Sequence, residues 1–194
     1  ITTRLVGSEM CIRDRFIAGK YDNIDEIKNA PKEGWIDFKT GDLWGEESHG
    51  WFKTSVKVPE EFEGQTIALS FHTFLGDWDN TTNPQFILYV NGEHIQGLDV
   101  NHQETILTHN AVAGEVYNID LHAHIGRIEG KKSTLHGKLV TIDEEARKLY
   151  FNLSVPHIVA TKLHEEDKRR IDILTVLNLS LIHISEPTRR VVIS

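Results

Sequence analysis

The dipeptide Asn91-Gly92 constrains this chain more than any other feature. It sits between Gln85–Val90, a run rich in β-branched and aromatic residues, and Glu93–Gln96. Asn-Gly between two such runs predicts a tight β-hairpin, because both turn residues must take positive φ and Asn and Gly do so at least cost. Gly97 ends the return strand, Leu98 to Glu104 reads as a polar loop, and Thr105-Ile106-Leu107 re-enters a sheet.

The flanking sequence alternates in the same manner. Trp35 to Phe38 suggests an edge strand. Trp51 to Val58 is a strand with Phe52, Thr54, Val56 and Val58 on one face and Lys53, Ser55 and Lys57 on the other. Thr66 to Thr73 turns Ile67, Leu69 and Phe71 inward. Val116 to His124 does the same with Tyr117, Ile119, Leu121 and Ala123, and Ser133 to Ile142 makes a last strand. A period of two with one apolar face is the habit of antiparallel sheets that are wet on one side. The period then changes. Asp143 is placed to cap a helix from Glu144 on which Leu149, Leu153, Ala160 and Leu163 share a face; Pro156 is expected to kink or split it, and Glu165 to Asn178 reads as a second helix. Strands first and helices last predict a mainly β protein: an antiparallel β-sandwich over residues 16–142, followed by a helical segment over 143–179.

Composition narrows the function classes. Of 194 residues 26% are charged, and the formal net charge is −8. An acidic chain is a poor partner for nucleic acid, whose phosphates reward a basic face. No apolar run approaches the roughly 20 residues of a membrane span, so no membrane partner is expected. The single cysteine, Cys11, has no intramolecular partner, and no charged start followed by an apolar stretch marks a signal peptide. Both point to a reducing, cytoplasmic setting.

Four groups of residues carry candidate chemistry. Asp120, His122 and His124 lie at i, i+2 and i+4 of a predicted strand and project from one face; such a set suits a metal ion, or is the wet or covered outer face of the strand. Asp77, Asp79, Asn80, Thr81 and Thr82 form an oxygen-rich loop with calcium-type donors, without a calcium-loop spacing. Among the four tryptophans, Trp35 and Trp51 adjoin strands and read as core, whereas Trp44 and Trp78 sit in loops and are candidate platforms for a sugar ring. Asp99, Asn101, His102 and Glu104 crowd the loop after the hairpin, either as a sugar-contact surface or as a loop that docks on a neighbouring domain.

Three segments carry a family resemblance: WGEESHGWFKTSVKVP (Trp44 to Pro59), NPQFILYVNGEHIQGLDVNHQE (Asn83 to Glu104) and EEARKLYFNLSVPHIVATKL (Glu144 to Leu163). In this order and spacing they resemble the ancillary β-sandwich domain, and the helical link after it, that precede the catalytic domain in α-mannosidases of glycoside hydrolase family thirty-eight. The resemblance spans roughly Trp35 to Leu179. It implies a jelly-roll, galactose-binding-like sandwich that is non-catalytic and packs on the catalytic domain of its parent chain. That catalytic domain hydrolyses α-mannosides with an Asp nucleophile and a divalent metal, usually zinc. Its His-x-Asp metal motif occurs nowhere in these 194 residues, so no catalytic residue carries over, no cofactor is expected in this piece, and it is expected to be inactive. The rival reading is a stand-alone carbohydrate-binding module with mannose-containing glycans as ligands. A homo-oligomer stays open under either. Leu5 to Arg15 and Ser180 to Arg190 resemble translated sequencing-library adapter at the edges of metagenomic fragments; residues 1–15 and 180–194 are therefore expected to stand apart from the fold, the first of them disordered.

Overall fold

A computed structural model describes residues 4–9, 15–19, 21, 23–45, 49–74, 84–125 and 133–185. Two antiparallel sheets make up residues 4–142. One sheet runs in the order β3-β2-β5-β10-β7-β8, built from β2 (Arg15–Ala18), β3 (Ile36–Asp37), β5 (His49–Lys57), β7 (Gln85–Val90), β8 (Glu93–Leu98) and β10 (Val116–His124). The other runs β1-β11-β6-β9, with β1 (Arg4–Glu9), β6 (Thr66–Phe74), β9 (Glu104–Thr108) and β11 (Ser133–Ile142), and the short β4 (Leu43–Trp44) shares the outer edge of β11 with β1. Arg4–Glu9, in the segment expected to stand apart, thus lies along a sheet edge.

The expected hairpin forms where the sequence places it. Asn91 and Gly92 have φ of 52° and 86°, and the Asn91 side chain accepts a hydrogen bond from the Asn118 backbone at 2.9 Å, pinning the turn to β10. The return strand runs to Leu98 rather than stopping before Gly97, and a register shift between Leu88 and Tyr89 marks a bulge near Ile95.

The core lies between the sheets. The residues expected to face inward do so: Phe52, Val56, Ile67, Leu69, Phe71, Tyr117, Ile119, Leu121 and Ala123 are all buried in one cluster. At one end it becomes aromatic. Phe38, Trp44 and Phe16 surround Phe52, with ring centroids 4.9, 5.1 and 4.8 Å away. The register makes room for them, because Ala18, Gly50 and Ala123 sit side by side across three strands.

One face departs from simple alternation. Trp51 points away from the inter-sheet core yet is fully buried. A second small cluster covers it, made of Ile17 and Ile27 with Tyr21, Ile24, Ala30, Trp35 and Tyr89 packed around. The helix α1 (Ile24–Lys28) supplies part of this cover and is capped by Asn23, whose side chain accepts from the Asp25 and Glu26 amides.

The second unit holds α2 (Glu144–Lys162) and α3 (Lys168–Ser185). Asp143 caps α2 as expected, accepting from the Ala146 amide at 2.9 Å. Pro156 does not split it: the helix continues to Lys162, and the break falls at Leu163, in extended backbone. Asp167 then starts α3 by accepting from the Arg169 backbone at 2.9 Å, so the second helix begins later than the sequence suggests and runs past Asn178. An apolar groove lined by Leu149, Leu153, Pro156, Ile173, Val176 and Leu177 lies between the two helices.

Candidate functional site

Antiparallel register brings side chains from distant positions into rows on the outer face of the six-stranded sheet, since directly paired residues share a face. One row joins Trp51, His122, Ile87 and Gly97. The next joins His49, His124 and Gln85. Asp99 follows directly on the end of β8. Together they ring a hollow of about 530 Å³, within the range of small-molecule sites.

The walls are largely imidazole. The ring centroid of His49 lies 4.7 Å from that of His124 and 5.7 Å from that of His122, and His122 is stacked on Trp51. Asp99 is held as an acceptor by the turn it starts: the amides of Asn101 and His102 each donate to its Oδ1 at 2.8 Å, and Nδ1 of His102 sits 3.0 Å from the same oxygen. Burial nudges the Asp99 carboxyl up, but the hydrogen bonds from Asn101 and His102 outweigh it and hold the group below its ordinary value. It is an anion beside the histidines at neutral pH.

The residues singled out in the sequence are thus partly brought together. Asp99, His122 and His124 share the hollow. Asn101 and His102 lie on its rim turn, exposed. Glu104 does not join them: it opens β9 and pairs with Ser70 in the other sheet. The metal face is corrected. Asp120 is turned to Lys53, whose Nζ lies 3.6 Å away, and among the described residues no three His, Cys, Asp or Glu side chains converge on a metal position. Alternation put the three on one face, but adjacent rows of a sheet are too far apart for their short carboxylate and ring arms to meet. Trp44 is also corrected as a sugar platform. It is 3% exposed and edge-on to Phe52 in the core, because Leu43-Trp44 pairs with β11 and turns the indole inward. Trp78 and the loop with Asp77, Asp79, Asn80, Thr81 and Thr82 lie outside the described residues.

Sequence reasoning missed His49, Gln85 and Gly97. For His49 the signal was present: extending the alternation of Trp51 back by two residues puts it on the same face. Gly97 was read only as the end of a strand.

Solved structures of similar shape belong to large sugar-cleaving enzymes. A Bacteroides uniformis beta-glucuronidase superposes with a TM-score of 0.48 at 11% identity, over 70% of this chain and 18% of that one. The beta-glucuronidase of Faecalibacterium prausnitzii gives 0.48 at 10% identity, over 74% and 32%. That of an uncultured Clostridium gives 0.45 at 14% identity, over 74% and 30%. The chain therefore spans less than a third of the length of these relatives. Curated protein sequences give no match. The family described as the jelly roll domain of alpha-mannosidase matches residues 19–159, well over half of the chain. With two antiparallel sheets in place and the helices following them, the chain belongs to the alpha-mannosidase jelly roll domain family.

Proposed function

We propose that this domain is the non-catalytic N-terminal part of an α-mannosidase and that it packs on the catalytic domain through its helical unit. Membership of the jelly roll family supports the first half, as does the lack of a His-x-Asp motif in the sequence. Zinc, in this reading, belongs to the catalytic domain, and the single cysteine suits a cytoplasmic enzyme.

One observation carries the packing half. Helix α2 is apolar on two sides. Leu149, Leu153 and Pro156 line the groove toward α3. Phe151, Val155, Ile158 and Val159, at i, i+4, i+7 and i+8, form a second stripe that is 48, 51, 55 and 47% exposed. A helix in a water-facing link has no use for two apolar stripes; a helix wedged between two folded bodies does.

The test is reconstitution. This chain is mixed with a separately expressed catalytic domain of a family thirty-eight α-mannosidase and passed over a sizing column with zinc and a nitrophenyl α-mannoside. The pair should co-elute, and this chain alone should release no nitrophenol. The pair with Ile158→Lys should separate. Turnover by this chain alone, or no co-elution of the wild type, overturns the reading.

A further inference from the structure

We propose that the hollow on the outer sheet face binds a neutral pyranoside through its ring hydroxyls. The inference rests on the sandwich unit alone and stands or falls independently of how the helices dock.

The hollow exists because of one residue. Gly97 pairs with Ile87 on the outer face, and a Cβ built there meets only the Phe86 carbonyl oxygen, at 3.8 Å. Any larger side chain would project into the space without a clash. The floor is therefore Ile87, a patch suited to the C–H face of a sugar ring. The rim holds Gln85, His49, His124 and the Asp99 carboxylate. A primary amide and neutral imidazoles each offer a donor and an acceptor, and an ionised carboxylate accepts strongly from hydroxyls. A polyol that is donor and acceptor at every carbon matches that mixture.

Other ligand classes fit less well. A metal ion needs donors converging on one point, and among the described residues no such group exists. An anion would face the Asp99 carboxylate on a chain of net charge −8. A purely apolar ligand would leave the rim groups without partners, which is costly.

The experiment is an amide and imidazole nuclear magnetic resonance titration of the whole chain. The probes are methyl α-mannopyranoside, methyl β-glucopyranoside and methyl β-galactopyranoside, with sodium glucuronate and zinc chloride as contrasts. At least one neutral glycoside should shift Gly97, Asp99, His122 and His124 in a saturable way. Gly97→Leu should weaken that binding roughly tenfold or more, with an unchanged melting temperature, and His124→Ala, at an exposed position, should weaken it with the fold intact. No shift with any neutral glycoside overturns the proposal. So do shifts with zinc or glucuronate alone, and so does equal binding by Gly97→Leu.

Discussion

The imidazole of His122 lies flat on the indole of Trp51, 3° from parallel, with ring centroids 4.6 Å apart. This pair joins the hollow to the fold. Trp51 is fixed from below: its Nε1 donates to the Tyr21 carbonyl at 3.0 Å, and Tyr89 stacks on its other side at 5.7 Å. The α1 segment therefore does more than fill space. By burying Trp51 it sets the height and tilt of the first ring in the hollow's wall.

Trp51→Ala should cost about 3–5 kcal/mol, the usual range for emptying a buried aromatic site. His122→Ala removes one ring contact at a half-buried position and should cost about 0.5–1.5 kcal/mol. Urea unfolding reads both as a lower midpoint at unchanged slope. Equal losses for the two variants would mean that Trp51 is not the anchor.

Gly50 gives a sharper test of the aromatic end of the core. A Cβ there would lie 2.7 Å from the Phe16 Cζ and 3.3 Å from the Ile17 carbonyl oxygen, so Phe16 must shift and disturb Phe52 and Phe38 behind it. Gly50→Ala should destabilise by about 1–3 kcal/mol. The double variant Gly50→Ala with Phe16→Leu should recover part of that loss. A neutral Gly50→Ala, measured by the same unfolding, would show that the ring cluster is loosely packed.

The sandwich was legible because its signals are local and periodic. Asn91-Gly92 fixes a hairpin, and alternation along Val116–His124 sorts inside from outside with no knowledge of the partner strands. Asp143 announces the helical unit by its capping position. What was not legible depends on pairing. Nothing in the sequence says that His124 faces His49 or that Ile87 faces Gly97, because register joins positions dozens of residues apart. Trp44 failed for the same reason: a two-residue strand has too short a pattern to show which way it turns, and only its pairing with β11 buries the indole. Pro156 failed differently. A proline costs a helix one hydrogen bond and some clash, and a long amphipathic helix packed along α3 absorbs both.

Asp120 should make stability depend on pH. Burial raises its carboxyl above the ordinary 3.8, and the nearby Lys53 and Lys28 offset only part of this. A raised folded value means that the group's contribution is fully present below pH 3.8 and is lost as pH rises through the folded value. Asp120→Asn has no proton to lose there. The unfolding free energy of the Asn variant minus that of the wild type should therefore grow across that interval and level off above it. Lys53→Met, which removes the compensating charge, should widen the interval upward. A difference that stays flat with pH would show that the carboxyl is solvated.

The second apolar stripe of α2 makes the last prediction. Phe151, Val155, Ile158 and Val159 are each about half exposed and contiguous along nearly two turns. At roughly 25 cal/mol per Å², covering such a stripe is favourable, and a free chain has two ways to do so: association with itself, or uptake of an apolar dye. The purified chain should therefore show concentration-dependent association in sedimentation and enhanced fluorescence of a hydrophobic dye. Val155→Lys with Ile158→Lys should abolish both. The helix should survive, since lysine is at least as good a helix former as the β-branched residues it replaces and neither side chain lines the groove toward α3. Unchanged circular dichroism with lost association is the expected pair of results. A wild-type chain that stays monomeric and dye-negative at high concentration would mean that the stripe is not a sticky surface, and the packing role assigned to α2 would go with it.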